Sequence, residues 1–445
     1  MKHLAGATGL RVPRPVVVLL IGAFVAATPG GSQSTAAFEP QPVERKAEDV
    51  LPSDLLQGDR HVVDPVVQSD GYMNRYLLKT HFGDFDVEGD RLLRIRIAEL
   101  EAIARLRELG ATESFAKAIA SSAKDVGRQT VAVVTRPGET LENIPRGVAL
   151  KAKGMWFGAK KTARKAAALA QDLNESGLSG VRKKASGEET KDSSGRCGDP
   201  PQLRDRALSL LGYEGSVRRL ANRLRIDPYS TNCVLRDELE RLGKAAFVAD
   251  LTFDFLDPVP SELQQVGGFY DLAWRLPKRE LERRNDRALK TMSLPAALRF
   301  SFFENRWFTP TEQTELVFLL EQLDGVAGRD EIVTAASTAD SRSAARYFLG
   351  VASLLTRYAD ERGLSQIRRL ERGEGFALVG LSRPTGGVVA LPFDYLSWRV
   401  AGDGSAPFLD LGVRDLWVSG EVASETREEL EERGWQLRTG VPLER

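Results

Sequence analysis

Histidine and cysteine are scarce in this chain, which has three histidines and two cysteines among 445 residues. His3 belongs to the N-terminal leader, so only His61 and His81 are left for a folded site. Two histidines rule out a histidine-rich zinc centre, and the sequence has neither an H-E-x-x-H nor a C-x-x-C motif. A Ser-His-Asp triad would have to use one of these two histidines, and the residues around them give it no support.

The common nucleotide-binding and nucleophile motifs are also missing. The chain has no G-x-S-x-G elbow, no Walker-type phosphate loop and no G-x-G-x-x-G turn, so we expect no cofactor. Acidic and basic residues balance at 62 each, and removal of Lys2, Arg11 and Arg14 leaves a formal charge of −3. Domains that bind nucleic acid are usually basic, so this balance argues against nucleic acid as the main partner.

Long apolar runs are limited to the N-terminus. Three basic residues and no acidic residue precede the apolar run Val16–Ala27, and small residues follow it. This order is typical of a cleavable signal peptide over residues 1–37, with cleavage predicted after Ala27 or Ala37. No cysteine lies near either point, which argues against a lipid anchor. No later run approaches the roughly 20 apolar residues of a membrane span, so we expect no transmembrane helix in the mature chain.

Changes of composition and period divide the chain into five regions. The predicted fold class is α+β and predominantly α-helical, with a small N-terminal β-meander, a helical domain and a C-terminal α+β cap. The regions are the signal peptide at 1–37, the meander with helices and a basic segment at 38–174, a disordered linker at 175–202, the helical domain at 203–373 and the cap at 374–445.

Residues 38–97 are interpreted as an extended leader followed by strands. Residues 38–58 are polar and contain three prolines, which favours an extended leader onto the fold. Phe82–Glu88 alternates apolar and acidic residues at the period of a strand. The dipeptide Gly89-Asp90 then predicts a hairpin turn, and Leu92–Ile97 is expected to form the last strand of the meander. A helical period starts at Ile97 and ends at Gly110.

Capping patterns mark several helices in the second half of the chain. The run Ser230-Thr231-Asn232 offers the N-cap of a helix from Cys233 to Leu251. Thr309, Pro310 and Glu312 form a capping-box pattern, and Ser341–Asp360 is predicted as another helix. The cap is expected to contain a hairpin of 376–381 with 388–392, a strand at 416–419, a helix at 423–433 and a strand at 435–439.

The strongest acidic cluster surrounds residue 86. Asp84, Asp86 and Glu88 are followed by Gly89, which resembles the first half of a calcium loop. Ile95 stands where the loop should carry a bidentate glutamate, so the second half of the motif fails. Strand alternation explains these carboxylates, together with Asp90 and the nearby His81, as the solvent face of a hairpin. We therefore predict no metal site, although an enzyme that uses Asp84, Asp86 or His81 remains an alternative.

The strongest basic cluster lies between residues 144 and 171, where the chain has no acidic residue. Basic side chains around an aromatic pair suit the surface of an anionic membrane or another anionic envelope polymer. The other interpretation is a solvated basic face whose aromatic residues are buried in the domain. The candidate binding residues are Arg146, Lys151, Lys153, Trp156, Phe157, Lys160, Lys161, Arg164 and Lys165.

The two cysteines allow two interpretations. Cys197 and Cys233 can form a disulfide in an oxidising compartment, which would stabilise the fold by closing a long loop. Alternatively, Cys197 is an exposed thiol in a polar segment and Cys233 is a buried one.

Three segments resemble an uncharacterised group of exported bacterial proteins. They are His81–Gly89, Asn143–Val148 and Asp227–Asn232, and the resemblance covers most of residues 60 to 260. It implies a periplasmic or envelope setting, and it carries over no activity.

The sequence therefore predicts an exported periplasmic or envelope-associated protein with a non-catalytic interaction or structural role. Its expected partner is an unidentified envelope protein or an anionic surface. One alternative is a peripheral membrane-binding protein that uses the basic segment. The other is a carboxylate-dependent envelope enzyme.

Overall fold

The computed structural model describes residues 38–112, 214–249, 268–367, 369–372, 378–381, 387–400 and 413–443. Over these ranges the fold is α+β and mostly helical, with an antiparallel sheet near the N-terminus and smaller sheets near the C-terminus, as the sequence predicts. The predicted signal peptide, the basic segment and the predicted linker lie outside the described residues.

The N-terminal sheet is antiparallel throughout and has the order β2-β5-β6-β4-β3, with β7 also paired to β6. In β6 and β7 every second side chain is buried, and for β7 this agrees with the alternation of Phe82–Glu88 in the sequence. Strands β1 to β7 are Phe38–Pro40, Val43–Lys46, Gln57–Gly58, His61–Val63, Val66–Ser69, Asn74–Thr80 and Phe85–Glu88.

Residues 38–58 do not form the extended leader that their prolines suggested. They contain β1, β2, the one-turn helices α1 (Ala47–Val50) and α2 (Ser53–Leu56), and β3. Ala47, Leu51 and Leu55 are buried in the hydrophobic core. Strands β1 and β2 pair with strands distant in sequence, and such pairing cannot be recognised from the order of apolar and polar residues within 38–58.

Residues 92–97 form part of a helix, not the last strand of a meander. Helix α3 runs from Asp90 to Ala111, and Gly89, at φ = 98°, turns the chain from β7 into its first turn. Leu93, Ile97 and Leu100 repeat at the helical spacing and are buried against the sheet. The prediction was wrong because apolar residues at 93, 95 and 97 also match a strand over this short stretch.

Helices fill most of the described chain from residue 214 to residue 362. The predicted caps are confirmed: Asn232 Oδ1 accepts the backbone N–H of Val234 (3.1 Å), and Thr309 and Glu312 form a reciprocal capping box. The helices are α4 Glu214–Leu224, α5 Cys233–Ala249, α6 Gly268–Arg275, α7 Lys278–Thr291, α8 Ala296–Glu304, α9 Pro310–Gln322, α10 Arg329–Ser337 and α11 Arg342–Arg362.

Cys233 is the first residue of α5 and is disulfide-bonded. Cys197, the other cysteine of the chain, lies outside the described residues.

The C-terminal sheet has the order β15-β13-β10-β9-β8. The predicted hairpin of β9 with β10 is confirmed, whereas β13 pairs in parallel with both β10 and β15. The other described elements are β8 Arg369–Arg372, β9 Leu378–Leu381, β10 Gly387–Leu391, β11 Tyr395–Leu396, β12 Trp398–Val400, β13 Asp415–Val418, β14 Glu421–Val422, α12 Ser424–Glu432 and β15 Gln436–Arg438.

Two large hydrophobic cores organise the described residues. One joins the N-terminal sheet to α3, α4 and α5. The other runs from α7 to the C-terminal sheet and contains residues on both sides of position 373, together with Tyr72 from the N-terminal region. The two parts also meet where β1 pairs with β12, so the first described strand is fixed to the last quarter of the chain.

Candidate functional site: a charged cleft between the two cores

The predicted site residues separate in the structure. The nine residues of the basic segment lie outside the described ranges, so their binding role stays a prediction. His81, Asp84 and Asp86 are exposed to solvent, as expected for the outer face of a hairpin. Glu88 is partly buried and lines a cleft. Asp90 begins α3 and accepts hydrogen bonds from the Tyr76 hydroxyl (2.5 Å) and from Asn74 Nδ2 (3.0 Å).

The cleft lies where the two cores meet, and it opens to solvent. One wall comes from the start of α3 and the loop before α5. The rest of the lining comes from α6, the N-terminus of α9, the first half of α11, the turn after β10, Leu443, the turn before β6 and the end of β7. A large concave site of this kind is the usual location of a small-molecule site.

Aromatic and aliphatic side chains form the apolar part of the cleft. The ring centroids of Tyr72 and Phe393 are 4.8 Å apart, and those of Tyr347 and Phe393 are 5.9 Å apart. Burial raises the pKa of both tyrosines above the usual value, so their hydroxyls stay neutral at physiological pH. The aliphatic lining comes from Leu92, Ile95, Leu349, Pro392 and Leu443.

Three arginines enter the cleft, and each has a carboxylate partner. Arg91 Nη2 lies 2.6 Å from Glu315 Oε1 and also donates to the Tyr270 hydroxyl at 3.4 Å. Arg346 Nε lies 3.5 Å from Glu312 Oε1, the same glutamate that closes the capping box of α9. The start of α9 therefore supplies the anionic partners of two of these arginines.

The third pair is the most deeply buried. Arg96 Nη1 donates to Glu99 Oε2 at 2.6 Å, and Arg96 Nη2 donates to Thr231 Oγ1 at 2.5 Å. Glu99 is only 2% exposed and also accepts hydrogen bonds from the Ser230 hydroxyl and from Asn232 Nδ2 (3.0 Å). A buried charge needs partners of this number and kind, and here they join α3 to the loop before α5.

Asp227 lies beside this network, in the same loop. Its Oδ1 accepts hydrogen bonds from the Thr311 hydroxyl (2.7 Å) and from the backbone N–H of Tyr229 (2.8 Å). Burial raises the pKa of Asp227 to about 7, and the negative charges of Glu312 and Glu99 act in the same direction. Asp227 can therefore gain or lose a proton near neutral pH.

Two further carboxyls of the lining are held by backbone N–H groups. Asp394 Oδ2 accepts from the N–H groups of Asn74 (3.1 Å) and Asp90 (3.3 Å), which connects the C-terminal part to the N-terminal sheet. Burial, followed by the charge of Asp90, raises the pKa of Asp394 well above its usual range. Asp70 Oδ1 accepts from the N–H groups of Tyr72 and Met73 at 3.0 and 2.8 Å.

Acidic side chains outnumber basic ones in the lining. Among the described residues of the lining there are three guanidinium groups, those of Arg91, Arg96 and Arg346, and seven carboxyl groups, but no lysine or histidine. The carboxyls are those of Asp70, Glu88, Glu99, Asp227, Glu312, Glu315 and Asp394.

The described residues contain neither a metal-binding cluster nor a membrane-spanning helix. These ranges contain no group of three or more histidine, cysteine, aspartate or glutamate side chains placed to hold a metal ion. None of the helices described is both long and apolar enough to cross a membrane.

Comparison with known proteins gives no relative: no family model, no curated protein and no solved structure matches the chain. The function is therefore inferred from the residues of the cleft.

Sequence reasoning missed most of the cleft residues. The signal that could have found some of them is on α3, where Arg96 and Glu99 are 8% and 2% exposed among apolar neighbours. Long charged side chains are rarely buried unless they are paired, so such positions in a predicted core helix indicate a polar site.

Proposed function

We propose that this protein is exported and acts without catalysis, binding a small organic molecule in the cleft between its two cores. The observation that carries the proposal is the cleft, which combines an apolar aromatic wall with a small number of fixed polar groups. That combination is typical of small-molecule sites, where apolar contacts give affinity and polar groups give orientation. Export rests on the sequence of residues 1–37.

Blocking the cleft tests this proposal. Ile95→Trp and Ser343→Trp each place a large ring at a partly buried position of the lining. The matched control is Val62→Trp, at a 44% exposed position on the outer face of the N-terminal sheet. Ligands found by thermal-shift screening of the purified protein should stabilise the wild type and the control, and should fail to stabilise the two cleft variants.

Circular dichroism must show that each variant is folded. Equal stabilisation of both folded cleft variants and the wild type would place the ligand elsewhere and reject the cleft.

A carboxylate-dependent enzyme is the second candidate, because Asp227 has a pKa of about 7 and lines the cleft. A carboxyl that is protonated near neutral pH can serve as a general acid. The sequence suggests His81, Asp84 or Asp86 for such an enzyme, but none of these three residues lines the cleft. A cleft ligand that is converted by the wild type and not by Asp227→Asn would favour the enzyme, whereas unchanged ligand favours simple binding.

A further inference from the structure

The carboxyl groups of the cleft differ in how well they are neutralised. Glu99, Glu312 and Glu315 each pair with an arginine. Asp70 and Asp394 are held by backbone N–H groups, and Asp227 by one N–H and one hydroxyl. Glu88 differs from all of these, because within the described ranges its side chain forms no ion pair.

Glu88 lines the cleft at the end of a strand. It follows Phe85–Val87 at the end of β7 and lies one residue before the turn at Gly89. Its charge acts on Arg346 and on Asp394, which also line the cleft, without a direct ion pair to either. A carboxylate in this position faces the empty space with its charge incompletely balanced.

The arginines offer little to an anionic ligand. Each already has a carboxylate partner, at 2.6 Å for Arg91 and Arg96 and at 3.5 Å for Arg346. An incoming anion would have to displace these partners or approach them as a like charge, and both cost free energy in a partly desolvated site.

The lining contains two kinds of group that favour a cation. Glu88 supplies the unbalanced negative charge, and Tyr72, Tyr347 and Phe393 supply aromatic rings in the same lining. Aromatic rings attract ammonium groups through their quadrupole, and they also bury an apolar body.

We propose that the cleft selects a small organic cation, with one ammonium group directed at Glu88 and an apolar body against the aromatic wall. This inference rests on the proposed function, since it names the ligand class of the same cleft.

Three probes of similar shape and different charge distinguish a preference for cations from binding of the apolar body alone. They are 3-phenylpropylammonium, the neutral alcohol 3-phenylpropanol and the anion 3-phenylpropionate, titrated into the purified protein at neutral pH and followed by calorimetry. The ammonium probe should bind about tenfold more tightly than the alcohol, and the carboxylate more weakly than either.

Glu88→Gln should reduce the affinity for the ammonium probe to that of the alcohol and leave the affinity for the alcohol unchanged. Asp86→Asn is the matched control, because Asp86 lies two residues earlier in β7 on the exposed face and should leave all three affinities as they are.

The possible results are distinguishable. Equal binding of the ammonium probe and the alcohol, or tightest binding of the anion, overturns the cation preference and leaves the cleft as a ligand site. A preference for the ammonium probe that survives in Glu88→Gln also overturns the inference. Binding of all three probes that Ile95→Trp does not change rejects the proposed function, whereas failure of every probe to bind at millimolar concentration overturns the inferred ligand class.

Discussion

Asp227 holds a proton over a pH range in which an ordinary aspartate is ionised, because burial raises its pKa from 3.8 to about 7. The folded protein therefore binds this proton more tightly than the unfolded chain. The resulting stabilisation is fully present below about pH 4 and is lost as the pH rises towards 7. Asp394, whose pKa is also raised, contributes in the same direction.

Asp227→Asn should remove part of this pH dependence. We expect the free energy of unfolding of the wild type to fall between pH 4 and 7, with Asp227 contributing up to about 4 kcal/mol. The variant should show a shallower fall, measured by urea denaturation at several pH values. Asp86→Asn is the control, since Asp86 is exposed. Parallel pH profiles of Asp227→Asn and the wild type would contradict the prediction.

Glu99 gives a second prediction for a single side chain. Glu99→Gln preserves the shape of the side chain but leaves the buried guanidinium of Arg96 without its anionic partner. The expected loss of unfolding free energy is about 3 kcal/mol, as for other buried pairs that lose one member. Chemical denaturation at neutral pH measures this loss.

Glu101→Gln on the same helix is the comparison. Glu101 pairs with Arg60 and Arg105, but its side chain is 22% exposed. Its loss should therefore cost less than about 1 kcal/mol. A similar cost for both variants would show that the Arg96–Glu99 pair is no more important than a surface pair.

At the scale of elements, local signals were sufficient where the element is stabilised locally. Thr309, Pro310 and Glu312 predict the start of α9 correctly because the capping box involves neighbouring residues alone. The alternation of Phe85 and Val87 with acidic residues gives β7 for the same reason.

Where contacts with residues distant in sequence determine the secondary structure, the local sequence pattern was insufficient to predict it. The apolar positions of 92–97 suit a strand or a helix, and α3 prevails because its stripe continues to Leu100 and beyond, against the sheet and α5. The parallel pairs of β13 with β10 and β15 join segments that are not adjacent in sequence, so the local pattern could not predict this pairing.

The capping box of α9 should have a measurable effect. Thr309→Ala removes the acceptor of the Glu312 N–H (3.1 Å) and should lower the free energy of unfolding by about 1 kcal/mol. Thr309→Ser keeps a hydroxyl and should stay close to the wild type. Thermal or urea denaturation of the three proteins checks the order, and equal stability of the alanine and serine variants would contradict it.

At the scale of the whole molecule, the cleft could not be predicted from the sequence. Its lining ranges from Asp70 to Leu443 and comes from both cores, so its residues become neighbours only after the chain has folded. Single members were visible, such as Glu88 in the acidic run and Asp227 in a turn. Nothing in their local context indicated a common site.

The basic segment remains a prediction about the whole molecule. The purified protein should sediment with anionic vesicles at low salt, because each basic residue near such a surface contributes about 1 kcal/mol of binding free energy. The residues expected to contribute are Lys160, Lys161, Arg164 and Lys165. Charge reversal at these four positions should remove most of the salt-dependent binding, and Trp156→Ala much of the remainder. If the wild type does not sediment with anionic vesicles even at low salt, the peripheral membrane alternative is wrong.

The pairing of β1 with β12 determines when the fold can close. A growing chain leaves the ribosome N-terminus first, so residues 38–40 emerge long before their partners at 398–400 have been synthesised. The Arg45–Glu421 ion pair and the stacking of Arg45 on Tyr395 likewise require residues that are synthesised more than 300 positions later. A nascent chain that stops before residue 398 therefore lacks the partner of its first described strand, and this pairing can form only late in synthesis.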